Sequence, residues 1–191
     1  MLLLNTDKWI NYIHNHKVKS FWIAFLLTVG TTLCMRPSSS CLITSSTPLA
    51  IVDLELAFDQ QEALRIKEVW IMNDCSNALS FSANGLEAAV VNIWLDFPFL
   101  ISYTIFLIVL IVITQKGTLS SESITIVLIY AALLAGLLDV VENILMAVFL
   151  KVHQIPSYTF AIAASLKFGI IIILIMAIIW RLIRVLIPSK I

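Results

Sequence analysis

The sequence predicts an all-α integral membrane protein: a four-transmembrane-helix bundle, N-in/C-in, with an extracytoplasmic loop of about 55 residues that holds one amphipathic helix and a candidate short strand. Three observations predict it. Hydrophobic residues make up 60% of the 191, charged residues only 13%, and mean hydropathy is +1.00, which leaves too little polar surface to clothe a water-soluble globule. Four stretches approach or exceed the roughly 20 apolar residues that cross about 30 Å of hydrocarbon. Finally, the basic residues cluster on alternate connections, which orients the spans.

Residues 1–19 precede the first span. WINYIHNHKVK places Trp9, Tyr12 and Ile13 beside Lys and His, a pattern that suits either a short interfacial helix or a basic tail. The first span covers 20–35. It exits through LCMRPSSS, where no small-x-small site closes the apolar run, so an uncleaved anchor is expected rather than a secretory leader. Lys8, Lys17 and Lys19 before it, Lys116 after the second span, and Arg181, Arg184 and Lys190 around the end of the fourth place both termini in the cytoplasm, with the plasma (inner) membrane the expected bilayer.

The extracytoplasmic loop, 36–90, is rich in acid. Val52, Leu54, Leu56 and Phe58 alternate with Asp53 and Glu55, the period of a strand with one wet face. Asp59 followed by Glu62 has capping-box spacing, with Phe58 and Ala63 placed for a hydrophobic staple, and predicts a helix over about 59–73 with Ala63, Ile66, Val69 and Trp70 on one face. The ALSFSANG stretch reads as the start of the next helix, with a second strand as the alternative. Cys41 and Cys75 both fall in this loop; a bridge and two free thiols are both open, and a bridge would add roughly 3 to 4 kcal/mol in the chain-entropy view. The remaining boundaries are a second span at 91–113, a cytoplasmic loop at 114–122, a third span at 123–150, a short outer loop at 151–157, a fourth span at 158–186 and a cytoplasmic tail at 187–191.

Within the third span, GLLDVVEN interrupts an otherwise lipid-soluble run. Positions three and four apart share a helix face, so Ala132, Ala135, Gly136, Asp139, Glu142, Asn143 and Ala147 form one stripe of small and polar residues that faces protein rather than lipid. Depth suggests what meets it. At 1.5 Å per residue, Asp139 lies about 16 Å below the outer end of its span and Lys167 about 15 Å down the next, which makes Lys167 the candidate counter-ion. In the second span Asp96 lies near the outer interface, Pro98 loosens the helix, and Tyr103 reaches the depth of Asp139; the first span offers Thr28, Thr31 and Thr32.

The candidate binding site is therefore Asp139, Glu142, Asn143 and Lys167, with Asp96 and Tyr103 on its outer side. A charge in hydrocarbon costs at least about 2.5 kcal/mol, so the unmatched second acid is expected to be protonated, paired with a further partner or wet; an Asp139–Lys167 pair that only fixes helix register is the alternative. No catalytic residue is assigned. His14, His16 and His153 lie outside the spans, which argues against haem; no metal-ligand spacing, P-loop or G-x-S-x-G occurs, and no cofactor is expected. Net charge is zero with no long basic run, so nucleic acid is not an expected partner. The expected partners are the lipid bilayer, a protein or a second copy within it, and a lipid-like ligand.

In layout, four spans with a large first outer loop and a small second one, the chain is similar to claudin-like tetraspan proteins, without the W-G-L-W pattern of their first loop. It also resembles the small four-helix sterol-isomerase and sigma-2-type proteins, a resemblance that implies intramembrane acids acting on a lipid-like cation or sterol. On sequence alone the leading function is a non-catalytic accessory or scaffold subunit. The second is a binding or transport module for a cation, proton or amphiphile, and the third is a membrane-embedded acid/base enzyme on a lipid-phase substrate.

Overall fold

The computed structural model describes residues 6–75, 82–115, 119–152 and 155–186; residues 1–5, 76–81, 116–118, 153–154 and 187–191, with Lys116, His153 and Lys190 among them, lie outside the described residues. Seven helices are present among them, in the order α1 Thr6–Asn15, α2 Lys17–Leu42, α3 Ile51–Glu55, α4 Gln60–Met72, α5 Gly85–Ile113, α6 Leu119–Val152 and α7 Ser157–Leu186. Four helices, α2, α5, α6 and α7, are long and apolar enough to cross a membrane. Helices α2, α5 and α6 extend beyond the spans that hydropathy outlines, while α7 matches its span to within one residue.

The long helices pack in chain order: α2 on α5, α5 on α6, and α6 on α7, with a lighter contact closing α7 onto α5. As a result α2 is an edge helix. Its polar residues bind it to α5: Thr31 Oγ1 lies 2.9 Å from Ser102 Oγ, and Asn92 Nδ2 donates to Ser38 Oγ (2.9 Å) and Ser39 Oγ (2.8 Å). Where water is absent such bonds fix helix register, each contributing about 1 kcal/mol. Thr28 and Thr32 turn back onto the carbonyls of Ala24 and Thr28. The first span therefore does not contribute its threonines to the polar site.

Between α6 and α5 the approach is close at Gly136, where a Cβ would stand 2.7 Å from Thr104 Oγ1. At the far end of the bundle the Arg181 guanidinium donates to the Ile111 carbonyl (3.3 Å), in the last turn of α5, and to Thr125 Oγ1 of α6 (3.1 Å). It satisfies a carbonyl that the helix itself leaves open and places a cation at the negative end of the helix dipole.

The segment between α2 and α5 folds into a cap over the other end. The alternation at Val52–Phe58 does not produce a strand; among the described residues none forms, and Ile51–Glu55 instead make the short helix α3. The physical reason is local. Asp53 Oδ2 accepts from Leu49 N–H (2.7 Å), closing a turn, and Ala50 takes a positive φ of 58°, while Leu54 and Glu55, which a strand would point to opposite faces, are both buried. Helix α4 begins at Asp59, whose side chain accepts from Gln61 N–H (3.1 Å). Glu62 does not complete a capping box: its carboxylate takes a two-point bond from Arg65 on the solvent side. Phe58 is exposed, so no staple closes that end.

The buried face of α4 is Ala63, Ile66, Lys67 and Trp70, with Val69 partly buried against the same core. Trp70 is fully buried and its indole N–H reaches the Leu42 carbonyl (3.1 Å) at the end of α2. Gly85 lets α5 begin against it, since a Cβ there would meet the Trp70 carbonyl oxygen at 2.7 Å. The Lys67 ammonium donates to the Leu150 carbonyl in the last turn of α6, and burial lowers its pKa. Gln60 accepts from Ser157 N–H (2.7 Å) at the open start of α7. Cys41 and Cys75 stand at disulfide distance with Cα atoms 5.8 Å apart. Two apolar cores result: one under the cap around Leu54, Ile66, Trp70, Ile93, Phe149 and Phe160, the other toward the far end around Leu107, Ile111, Ala132, Leu174 and Ile178.

Candidate functional site

Between these two apolar cores lies a layer of charge. Its centre is the Lys167 ammonium of α7, which stands 3.0 Å from Asp139 Oδ1, 2.7 Å from Glu142 Oε2 and 3.7 Å from Glu55 Oε2, and 4.6 Å from the centre of the Phe168 ring. Helix spacing explains the first two. Asp139 and Glu142 are three apart on α6 and share the face that Gly136 allows to approach its neighbours. Glu55 arrives from outside the spans altogether: α3 turns it down into the bundle, where it is 8% exposed, against 3% for Asp139, 0% for Glu142 and 5% for Lys167.

Around this core the second ring of polar contacts comes from α5. Tyr103 donates its hydroxyl to Asp139 Oδ2 (2.7 Å), and Asn143 donates to Asp96 Oδ2 (2.5 Å). The six residues singled out from the sequence fall into two bonded groups, Tyr103, Asp139, Glu142 and Lys167 in one and Asp96 with Asn143 in the other. Glu55 is the member the sequence reading missed. The period-two pattern put it on the wet face of a strand, and only the turn made by Asp53 and Ala50 reverses that assignment.

The charges do not balance. Three carboxylates converge on one ammonium, and in a water-poor interior such an excess cannot persist fully ionised. Asp139 is satisfied on both oxygens, by Lys167 and by Tyr103. Glu142 is not: despite the short distance from Oε2 to Lys167, neither of its buried oxygens accepts a hydrogen bond of good geometry. The Glu55 carboxyl is a near neighbour, and the charges of Glu55 and Glu142 oppose one another beside the same ammonium. Two carboxyls can bond only when one carries a proton. Burial pushes the Glu55 carboxyl above its ordinary range, Lys167 pulls it partly back, and the Asp139 charge raises it again. A proton on either Glu55 or Glu142 would remove one negative charge and let the two carboxyls bond.

Among the described residues no group of His, Cys, Asp and Glu is arranged to hold a metal ion. The chain matches no protein family, no characterised protein and no solved structure. The likenesses of layout to tetraspan and sterol-isomerase-type proteins consequently contribute nothing to the assignment, and function rests on the site itself.

Proposed function

We propose that the protein is a membrane-embedded binding module that holds an exchangeable proton between Glu55 and Glu142, its occupancy setting how firmly the α3–α4 cap sits on the bundle. The observation that carries this reading is the third carboxylate. An Asp139–Lys167 pair alone would favour the accessory or scaffold role that ranks first on sequence, because one pair suffices to fix register. Glu55 reverses that order: it adds an acid that the single ammonium does not neutralise and places it on the cap rather than on a span.

The accessory reading stays second, supported by the fully satisfied Asp139 and by the apolar faces of α2, on which a partner or a second copy could pack. In the bilayer we place both termini in the cytoplasm of a plasma (inner) membrane, with the cap outside. This is supported by the basic residues before α2 and at the end of α7, and by a cysteine pair at disulfide distance in the cap.

Infrared difference spectroscopy of the protein in lipid, titrated from acid to alkaline pH, tests the proposal. The expected result is a protonated-carboxyl band at neutral pH that disappears on alkalinisation and is shifted or lost in both Glu55→Gln and Glu142→Gln. A protein with no protonated carboxyl at neutral pH, or a band that Glu55→Gln and Glu142→Gln both leave in place, would overturn it.

A further inference from the structure

At the end of the bundle opposite the cap, a second feature stands apart from the polar layer. Helix α1 packs across α5 and the start of α2 and roofs a half-open cavity of about 670 Å³. The walls are Trp9 and Ile13 of α1, Ile108 and Val112 of α5 and Ile129 of α6, with Tyr12 of α1 and Ser20 of α2 as the hydroxyl-bearing residues. On α5 the lining runs from Val112 in to Ile105, about 10 Å at 1.5 Å per residue. A space of this size lies within the range of small-molecule sites, and walls this apolar give water too few partners to fill it.

Charge at the mouth selects the occupant. Lys8, Lys17 and Lys19 are all exposed beside the cavity-lining residues of α1 and α2, whereas Asp7 is the one acid in the first 19 residues. Trp9, Tyr12 and Trp22 are exposed on the same side, where indole and phenol rings suit the headgroup level of a bilayer. An amphipathic helix with lysines on its flank is attracted to anionic lipid by about 1 kcal/mol per basic residue. Here the helix also encloses space for a chain. We propose that this cavity binds one anionic phospholipid, with an acyl chain between α1, α5 and α6 and the phosphate at Lys17 and Lys19. The proposal uses none of the residues of the proton site.

The test is native mass spectrometry of the intact protein released from mild detergent with phosphatidylglycerol or phosphatidylcholine of the same chains added. Wild type is expected to retain one phosphatidylglycerol in preference to phosphatidylcholine by about tenfold, a difference of about 1.4 kcal/mol. Ile108→Trp and, separately, Val112→Trp fill the cavity and are expected to lose the bound lipid. The pair Lys17→Glu with Lys19→Glu is expected to abolish the preference between headgroups while chain binding persists. Circular dichroism establishes which variants are folded, and two independent cavity-filling positions guard against one failing to fold. Equal retention of the two lipids by wild type would overturn the proposal, as would folded Trp variants that hold lipid as wild type does. So would a dimer that forms in place of the lipid complex and is lost in the Trp variants, since the occupant would then be a second copy.

Discussion

Lys167→Met removes the sole ammonium of the polar layer and leaves Asp139, Glu142 and Glu55 facing one another. Breaking a buried ion pair by deleting one partner costs about 3 to 5 kcal/mol, because the remaining charge is stranded. For a chain of this length each kcal/mol moves the melting temperature by about 2 to 4 °C, so a fall of roughly 6 to 20 °C is expected at neutral pH. Asp139→Asn should be milder. Lys167 keeps Glu142 at 2.7 Å and Glu55 at 3.7 Å, and the new amide oxygen still accepts from Tyr103, so the cost is that of one weakened hydrogen bond, about 1 to 2 kcal/mol. The assay is thermal unfolding in detergent followed by circular dichroism, across a series of pH values. Acid should restore Lys167→Met toward wild type, because protonated carboxyls need no counter-ion, and should do far less for Asp139→Asn. If the two variants were equally damaged at neutral pH, Asp139–Lys167 would be a simple pair and the three-acid reasoning would fail. Indifference of Lys167→Met to acid would refute it equally.

Glu55 provides a pH dependence of fixed sign. Its folded pKa lies above the ordinary 4.5, so its stabilising contribution is complete below pH 4.5 and is lost as pH rises through the folded value; thermal melts of Glu55→Gln should show a flatter loss above pH 4.5 than wild type. Gly136→Ala should cost about 1 to 3 kcal/mol by driving a methyl onto Thr104 Oγ1, and Thr104→Ala should recover most of it in a double-mutant cycle of denaturation. Gly85→Ala should cost at least as much and resist any side-chain rescue, because the obstacle is the Trp70 backbone carbonyl; the same melts decide this. Cys41→Ser, read as the change in melting temperature that reductant no longer produces, should lose roughly 3 to 4 kcal/mol if the 34-residue separation is closed by a bond, and alkylation of both thiols without reductant would show that it is not.

The spans were legible because hydrocarbon imposes length and composition over some 20 residues at a time, a constraint too extended for local detail to mask. The ends of the helices were not. Helical structure in α2 continues to Leu42, past Pro37, because Ser38 and Ser39 find a partner in Asn92 of α5 that lies 53 or 54 positions away. Likewise, the placement of α2 at the edge of the bundle follows from which faces interlock. Thr28, Thr31 and Thr32 look as suitable for an interior site as for the α2–α5 seam, since hydroxyls on a helix can always fall back on their own carbonyls.

For the polar layer, what could be read was what helical geometry carries: the shared face of Asp139, Glu142 and Asn143, and the common depth of Asp139 and Lys167. What could not be read was Glu55, because its position depends on a five-residue helix whose formation rests on one Asp–backbone bond and one residue at positive φ. Short alternating segments are where the period of two and the first turn of a helix are hardest to separate. The omission changes the chemistry as well as the residue count. With two acids and one base, a single protonated carboxyl leaves a neutral, self-sufficient pair. With Glu55 added, one proton still leaves two carboxylates on one ammonium, so the layer keeps an affinity for positive charge even after it has taken up a proton.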